Sequence, residues 1–172
     1  MPKKGIQEFY PESKKAWRAW LNINHLSQDA VWVIFYKKKV NKPSMTWSDS
    51  VDEALCFGWI DSTKRALDAE RFIQYFSKRK AKSTWSKVNK DKVKVLIDSG
   101  QMRPQGLVAI KTAKENGSWE LLNDVENLIV PNDFQNILNS NSILNKGYSA
   151  LSASRKKSLL YRLLSAKRAE TR

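Results

Sequence analysis

Residues 54–78 read ALCFGWIDSTKRALDAERFIQYFSK, and the way this stretch divides decides the fold. Val51, Ala54 and Leu55 lie along the packed side of a helix that ends here, and Gly58 lets the chain turn. The spacing predicts that Ser48 caps this helix. Asp49, Asp52 and Glu53 fall in its first turns, where the helix dipole favours negative charge. Two strand-like runs follow, Trp59–Ala66 and Arg71–Lys78, separated by Leu67-Asp68-Ala69-Glu70. A β-hairpin over 59–78 is the simple reading.

Working outward, AVWVIFY at 30–36 is rich in β-branched and aromatic residues and predicts a buried strand, ended by Lys37, Lys38 and Lys39. Residues 41–44 read as a loop. Upstream, Ala16, Trp17, Trp20 and Leu21 fall on one stripe of a helix over 11–24, with Pro11 and Ser13 at its start. Downstream, a helix is expected over 84–98, with Trp85, Val88, Val93 and Leu96 on one side and Lys87, Lys90 and Lys94 on the other. Gly100 stops it, and Pro104 opens the next helix, which carries Leu107, Val108, Ile110 and Ala113 and stops at Asn116-Gly117. Residues 123–131 read as irregular. Three short helices follow, near 131–139, 141–147 and 152–168, the last burying Leu159, Leu160, Leu163 and Leu164.

These elements add up to an α+β fold. It has a small, mainly antiparallel sheet packed by helices, with a helical C-terminal segment. A shift in composition near 123–131 divides an α+β body over 1–125 from a helical segment over 126–172 that docks on it, the two forming one structural unit. No internal repeat or low-complexity tract is visible.

The 172 residues suit one domain, and 41% hydrophobic content supplies a core. No run approaches the length of a membrane span. The N-terminal residues show no apolar signal region, and there is one cysteine. Both make the cytoplasm the expected location. One histidine and one cysteine argue against a zinc site, and no metal or other cofactor is expected. The net charge of +14 raises the local concentration of polyanions. Residues 78–94 hold eight lysines and arginines and one acid, Asp91. A solvated face is the plain reading. The functional alternative is non-specific nucleic-acid binding through Lys78, Arg79, Lys80, Lys82, Lys87, Lys90 and Lys94.

No catalytic constellation stands out. Cys56 sits in an apolar helix end and reads as a small buried hydrophobe, His25 as a helix-ending residue suited to the dipole. Gly100 and Gly106 do not form a phosphate-binding loop. Asp61 follows two apolar residues at the start of a strand, so it needs solvent or a partner. Arg79, Lys64 and Lys78 are candidates. Trp47, Trp59, Trp85 and Trp119 each border a turn or helix end, where flanking basic residues let an aromatic stack on a base or sugar. Core packing is the favoured reading of Trp85. The candidate ligand site comprises Trp59, Asp61, Arg79, Trp85, Ser86 and Asn89, and a pocket near Asp61 leaves a small-molecule enzyme open as a further alternative.

Four stretches carry a resemblance. They are TWSDSVDEALCFGWID (46–61), STWSKVN (83–89), SGQMRPQGLVAI (99–110) and AKRAETR (166–172), and in this order they resemble the YdeI/OmpD-associated, or bacteriocin-protection, family. Ser62 stands where that family tends to have glycine, and Phe76-Ser77-Lys78-Arg79 where it tends to have Phe-Thr-Pro-Arg. The resemblance implies a link to bacteriocin or antimicrobial protection, of undefined biochemistry; together with the lack of a catalytic constellation it makes a non-enzymatic cytoplasmic binding protein the expected function. It carries over no catalytic residues, and its association with a porin sits poorly with a chain that shows no export signal.

Overall fold

The computed structural model describes residues 5–166 and 168–171 and divides into two compact units. The first runs to Ser83 and includes Val88–Asn116; the second joins Thr84–Lys87 to the residues from Gly117 onward. Met1–Lys4 of the N-terminal reading, and Lys167 and Arg172 of the C-terminal motif, lie outside the described residues.

In chain order the elements are β1 (Glu8–Phe9), α1 (Lys14–Asn24), β2 (Ala30–Tyr36), α2 (Trp47–Cys56), β3 (Trp59–Ala66), β4 (Arg71–Lys78), α3 (Lys87–Asp98) and α4 (Pro104–Glu115). They continue with α5 (Asn123–Glu126), α6 (Asn132–Ser140), α7 (Ser142–Ser149) and α8 (Ala153–Ser165). The sheet order is β1-β2-β4-β3. The β3–β4 hairpin forms as the sequence predicts, and β4 also pairs antiparallel with β2. Only β1, two residues paired parallel to β2, departs from the antiparallel pattern. The fold is α+β.

Side chains alternate across a strand, so the register places Val31, Val33 and Phe35 of β2 on one face with Phe76, Gln74 and Phe72 of β4. Trp59, Asp61, Lys64 and Ala66 of β3 share that face, with a register shift between Asp61 and Lys64. Helices α1 and α2 cover one end of it. Ser13 caps α1 by accepting from the Ala16 N–H, and Trp17, Trp20 and Leu21 are buried. The Trp17 ring meets Phe76 edge-on at 5.3 Å and lies against Trp20 at 5.2 Å. Burying a large apolar side chain contributes roughly 1.5–3 kcal/mol, so this aromatic cluster is the centre of the unit's core.

Glu53 is buried, and it survives there because Arg18 reaches it at 2.5 Å and Lys14 at 3.6 Å. Arg18 also donates to the Gln101 carbonyl at 2.8 Å, so one guanidinium ties α1, α2 and the turn before α4. Cys56 lies beside this cluster. Burial pushes its thiol pKa up, against the opposing contact with Arg18, which keeps it protonated and unreactive. Helix α4 approaches α2 closely. A Cβ on Gly106 would fall 2.3 Å from the Cys56 carbonyl oxygen. At Gly58 φ is +73°, and a Cβ would lie 2.9 Å from the Gln105 carbonyl oxygen. The turn that ALCFGWID requires therefore depends on glycine twice over, for conformation and for room.

Several boundaries differ from the sequence reading. Thr46, not Ser48, caps α2: its hydroxyl accepts from the Asp49 N–H at 3.1 Å. The Thr46 cap extends the helix by two residues, Trp47 and Ser48, and the Ser48 hydroxyl instead accepts from Lys92 at 2.8 Å. Helix α3 begins at Lys87 rather than at residue 84, so Trp85 precedes it. Val88 is 59% exposed rather than part of a buried stripe, and Leu107 and Val108 of α4 are exposed as well. In α4 the packed positions are Gly106, Ile110 and Ala113, because glycine is what the close approach to α2 demands.

In the second unit Trp85 is buried and meets Trp119 at 4.9 Å. Leu122, Val125 and Leu160 form the core, with Leu128, Val130 and Leu163 partly buried around it. Ser152 caps α8. Of the four leucines expected inside, Leu160 alone is fully buried and Leu164 is 40% exposed, since one face of α8 is covered over a narrow stripe. Glu126 accepts from the Lys87 backbone N–H at 3.1 Å and pairs with Lys157 at 2.7 Å.

Candidate functional site

Asp61 has two hydrogen-bond donors. Its Oδ2 accepts from the Trp47 indole Nε1 and from Gln74 Nε2, each at 2.9 Å. Gln74 is buried and also donates to the Ser62 carbonyl at 3.3 Å. The partners expected from sequence are arranged differently. Lys78 reaches the Leu26 carbonyl at 2.8 Å and Asp29 at 3.0 Å. Lys64 sits over the Phe72 ring, 4.0 Å from its centroid. Arg79 interacts with Asp61 electrostatically: burial pulls its guanidinium pKa down to about 10, and the Asp61 charge offsets part of that.

The Trp47–Asp61 bond marks the edge of a cleft. Helices α1 and α2 leave the far end of the inner sheet face uncovered, and the chain between β2 and α2 closes over it. The resulting space has a volume of about 750 Å³, within the range of small-molecule sites. Phe35 and Phe72 form its floor, stacked with centroids 5.0 Å apart and planes 4° from parallel. Met45 and Trp47 wall one side, and Trp47 is 50% exposed. Lys37, Lys38, Lys42 and Lys64 rim it, and none of the described lining residues is acidic.

The loop over the cleft is held in place. The Tyr10 hydroxyl donates to the Pro43 carbonyl, and the Tyr10 ring meets Tyr36 edge-on at 5.2 Å. Ser44 accepts from the Tyr36 N–H at 3.3 Å, and Val40 N–H donates to the Lys37 carbonyl at 2.9 Å. Lys37 donates to the Asp68 and Ala69 carbonyls at 3.1 and 2.9 Å, joining the loop to the hairpin tip. Such a cleft is formed before any ligand arrives, which lowers the ordering cost of binding.

Residues 9–109 match the family described as Domain of unknown function (DUF8412). The chain belongs to that family. The DUF8412 match takes in β2, β3, β4 and the cleft, and three of the four recognisable stretches begin inside it. Residues 127–172 match a second family, described as Bacteriocin-protection, YdeI or OmpD-Associated. The resemblance seen in the sequence therefore holds for the C-terminal part. No curated protein and no solved structure matches the chain.

The residues singled out from sequence fall into both units. Trp59, Asp61, Arg79 and Asn89 belong to the first, Trp85 and Ser86 to the second. Trp59 is fully buried, donates its indole N–H to the His25 carbonyl at 3.3 Å and meets Trp20 edge-on, which makes it a core residue. His25 ends α1, and its Nδ1 lies 2.8 Å from the Leu21 carbonyl oxygen. Of the basic run, Lys80, Lys82, Lys87 and Lys94 are exposed, and Arg79 and Lys90 are half-buried. Of the cleft residues, sequence marks Trp47 as an aromatic placed to stack and Lys64 as a charge near Asp61, and it does not mark Phe35, Phe72, Met45 or the loop lysines as a site. Their signal was present in the lysine triplet 37–39 and in a tryptophan directly after a helix cap, but no periodicity links the two.

Proposed function

We propose that this protein is a non-enzymatic binding protein that works in the cytoplasm and contributes to antimicrobial tolerance by holding a small molecule in the cleft at the hairpin tip. The preformed cleft, with a half-exposed Trp47 above an aromatic floor, carries this reading. The family match at 127–172 supports the link to protection. Asp61 already accepts from Trp47 and Gln74, an arrangement that suits a positioning role for Trp47 better than proton transfer.

A fragment screen followed by amide chemical-shift mapping tests the proposal. Bound fragments should move the signals of residues 36–47 and 64–72 and the Trp47 indole N–H. Fragments that bind only elsewhere, or turnover of a small molecule that Asp61→Asn abolishes, would overturn it.

A second reading, non-specific polyanion binding, is favoured by the exposure of Lys87 and Lys94 on α3. It predicts DNA or RNA affinity at about 50 mM salt that falls steeply as salt rises. Glutamate at Lys87, Lys90 and Lys94 together should remove that affinity while the fold persists. Unchanged binding by the triple variant dismisses this reading.

A further inference from the structure

The cleft's lining narrows its ligand. We infer that it takes a small organic anion with a flat apolar body, an aryl carboxylate, sulfonate or phosphate of one or two rings. This inference rests on the binding function proposed above and adds the chemical class. Two observations on the same surface carry it.

The first is the charge. Four lysines border a cleft whose described lining includes no acid. Asp61 bonds Trp47 and Gln74, and Asp49 bonds the Thr46 hydroxyl at 2.6 Å and faces Lys14 at 3.9 Å, so neither makes an ion pair with a rim lysine. Lys64 stands over the Phe72 ring at 4.0 Å, which removes water from one side of its ammonium. A charge that has lost part of its hydration gains most from an anion brought beside it. Lys37 uses two of its three donors on the hairpin tip, which fixes its position and leaves one. A cationic ligand would meet uncompensated repulsion here.

The second is the apolar part. Phe35 and Phe72 stack face against face and back the cleft with apolar surface, so the exposed aromatic ring lining it is that of Trp47. Trp47 stands beside it with half its surface in water, although six other tryptophans are available for the core. Aromatic walls of this kind reward a planar group that displaces the water from them. The volume of about 750 Å³ accommodates one or two rings with an acid group and is too small for a folded peptide segment.

The test titrates the full chain with 2-naphthoate, its neutral isostere 2-naphthamide and the cation 2-naphthylmethylammonium, by calorimetry with chemical-shift mapping. Naphthoate should bind in the cleft, weaken with added salt, and bind at least about tenfold more tightly than the amide; the cation should not bind. The exposed Lys38→Glu/Lys42→Glu pair should lower naphthoate affinity by about tenfold and leave the amide unchanged. Lys64→Met should do the same, which provides a second variant if the double one folds poorly. Trp47→Ala should weaken naphthoate and amide alike. Equal affinity for acid and amide, or charge variants that leave naphthoate binding intact, would overturn the anion inference while the binding function stands. If none of the three probes binds in the cleft, the inference is overturned; if the fragment screen also leaves the cleft empty, the proposed function falls with it.

Discussion

Trp17 and Trp47 sit on the two helices that flank the same sheet face, and their surroundings differ. Trp17 is fully buried, with its indole N–H on the Ser50 carbonyl at 3.0 Å and its ring against Phe76 and Trp20. Trp47 is half exposed, with its indole N–H on the Asp61 carboxylate at 2.9 Å and its ring on the cleft. One end of the face is sealed by helices and bonded to backbone; the other outruns its helices and is roofed by a loop. The difference separates a tryptophan that holds the fold from one that is left for a ligand. It also shows why aromatic content alone could not locate the site: both ends are aromatic, and only one is open.

The largest test of this contrast is Trp17→Ala. Removing a fully buried indole leaves a cavity and strands the Ser50 carbonyl. The first unit should lose about 3–5 kcal/mol, read from the denaturant midpoint. A loss below about 1 kcal/mol would mean that the helix-covered end is not a packed core. Next in size is Gly106→Ala. A Cβ 2.3 Å from the Cys56 carbonyl oxygen forces α4 away from α2, with an expected cost of about 1–3 kcal/mol. Gly147→Ala in α7 is the matched control. Nothing lies within 4 Å of its Cβ, so it should stabilise by about 0.4–1 kcal/mol.

Trp47→Ala should cost little stability, under about 1 kcal/mol, because half of the side chain is already in water. It should, however, remove much of the intrinsic fluorescence that iodide quenches, while Trp17→Phe leaves that accessible fraction in place. If Trp47→Ala destabilised the chain as much as Trp17→Ala, the two ends would be equally structural and the cleft would lose its claim as a site.

The strands were legible because residue type alone marks them. AVWVIFY and the two runs of the hairpin formed at their expected bounds. The edge strand β1 was not, since two residues paired parallel to β2 carry no alternation to read. The cap of α2 is Thr46 rather than the expected Ser48: both are capping types two residues apart, and the geometry selects the first. Trp85 looked like part of a helical stripe because sequence spacing does not say where a helix begins. The sequence shows that Asp61 needs a partner, but the candidates it offers are the charged residues of the hairpin. Its donors came from a glutamine across the sheet and from the first residue of a helix twelve positions before the hairpin begins. The cleft combines a loop, a strand end and a helix start, and only tertiary structure brings those together.

The smallest expected effect lies at the hairpin tip, where the open end meets solvent. Asp68 accepts from the Glu70 and Arg71 N–H groups at 2.9 and 2.7 Å and pairs with the Arg71 guanidinium at 2.6 Å. The bond from Arg71, then those from the backbone, hold its pKa below the usual carboxylate range. A carboxylate whose folded pKa is depressed favours the folded form above its unfolded pKa and loses that contribution as pH falls through the folded value. Acidification should therefore loosen the tip at pH values below the ordinary carboxylate range, ahead of any change at the helix-covered end. Protection of the amides at residues 68–71, measured against their intrinsic exchange rates at the same pH, should fall there, and the Asp68 carboxyl carbon should titrate below a typical aspartate. Because the pair is exposed, added salt should shrink the shift. The Lys37 ammonium rests on the Asp68 and Ala69 carbonyls, so a looser tip also frees one corner of the cleft rim. Asn at position 68 should reproduce this at neutral pH, as faster exchange at Glu70 and Arg71 with an unchanged Trp17 environment. A tip whose amide protection is unchanged both in acid and in Asp68→Asn would show that the loop, rather than the hairpin, positions Lys37.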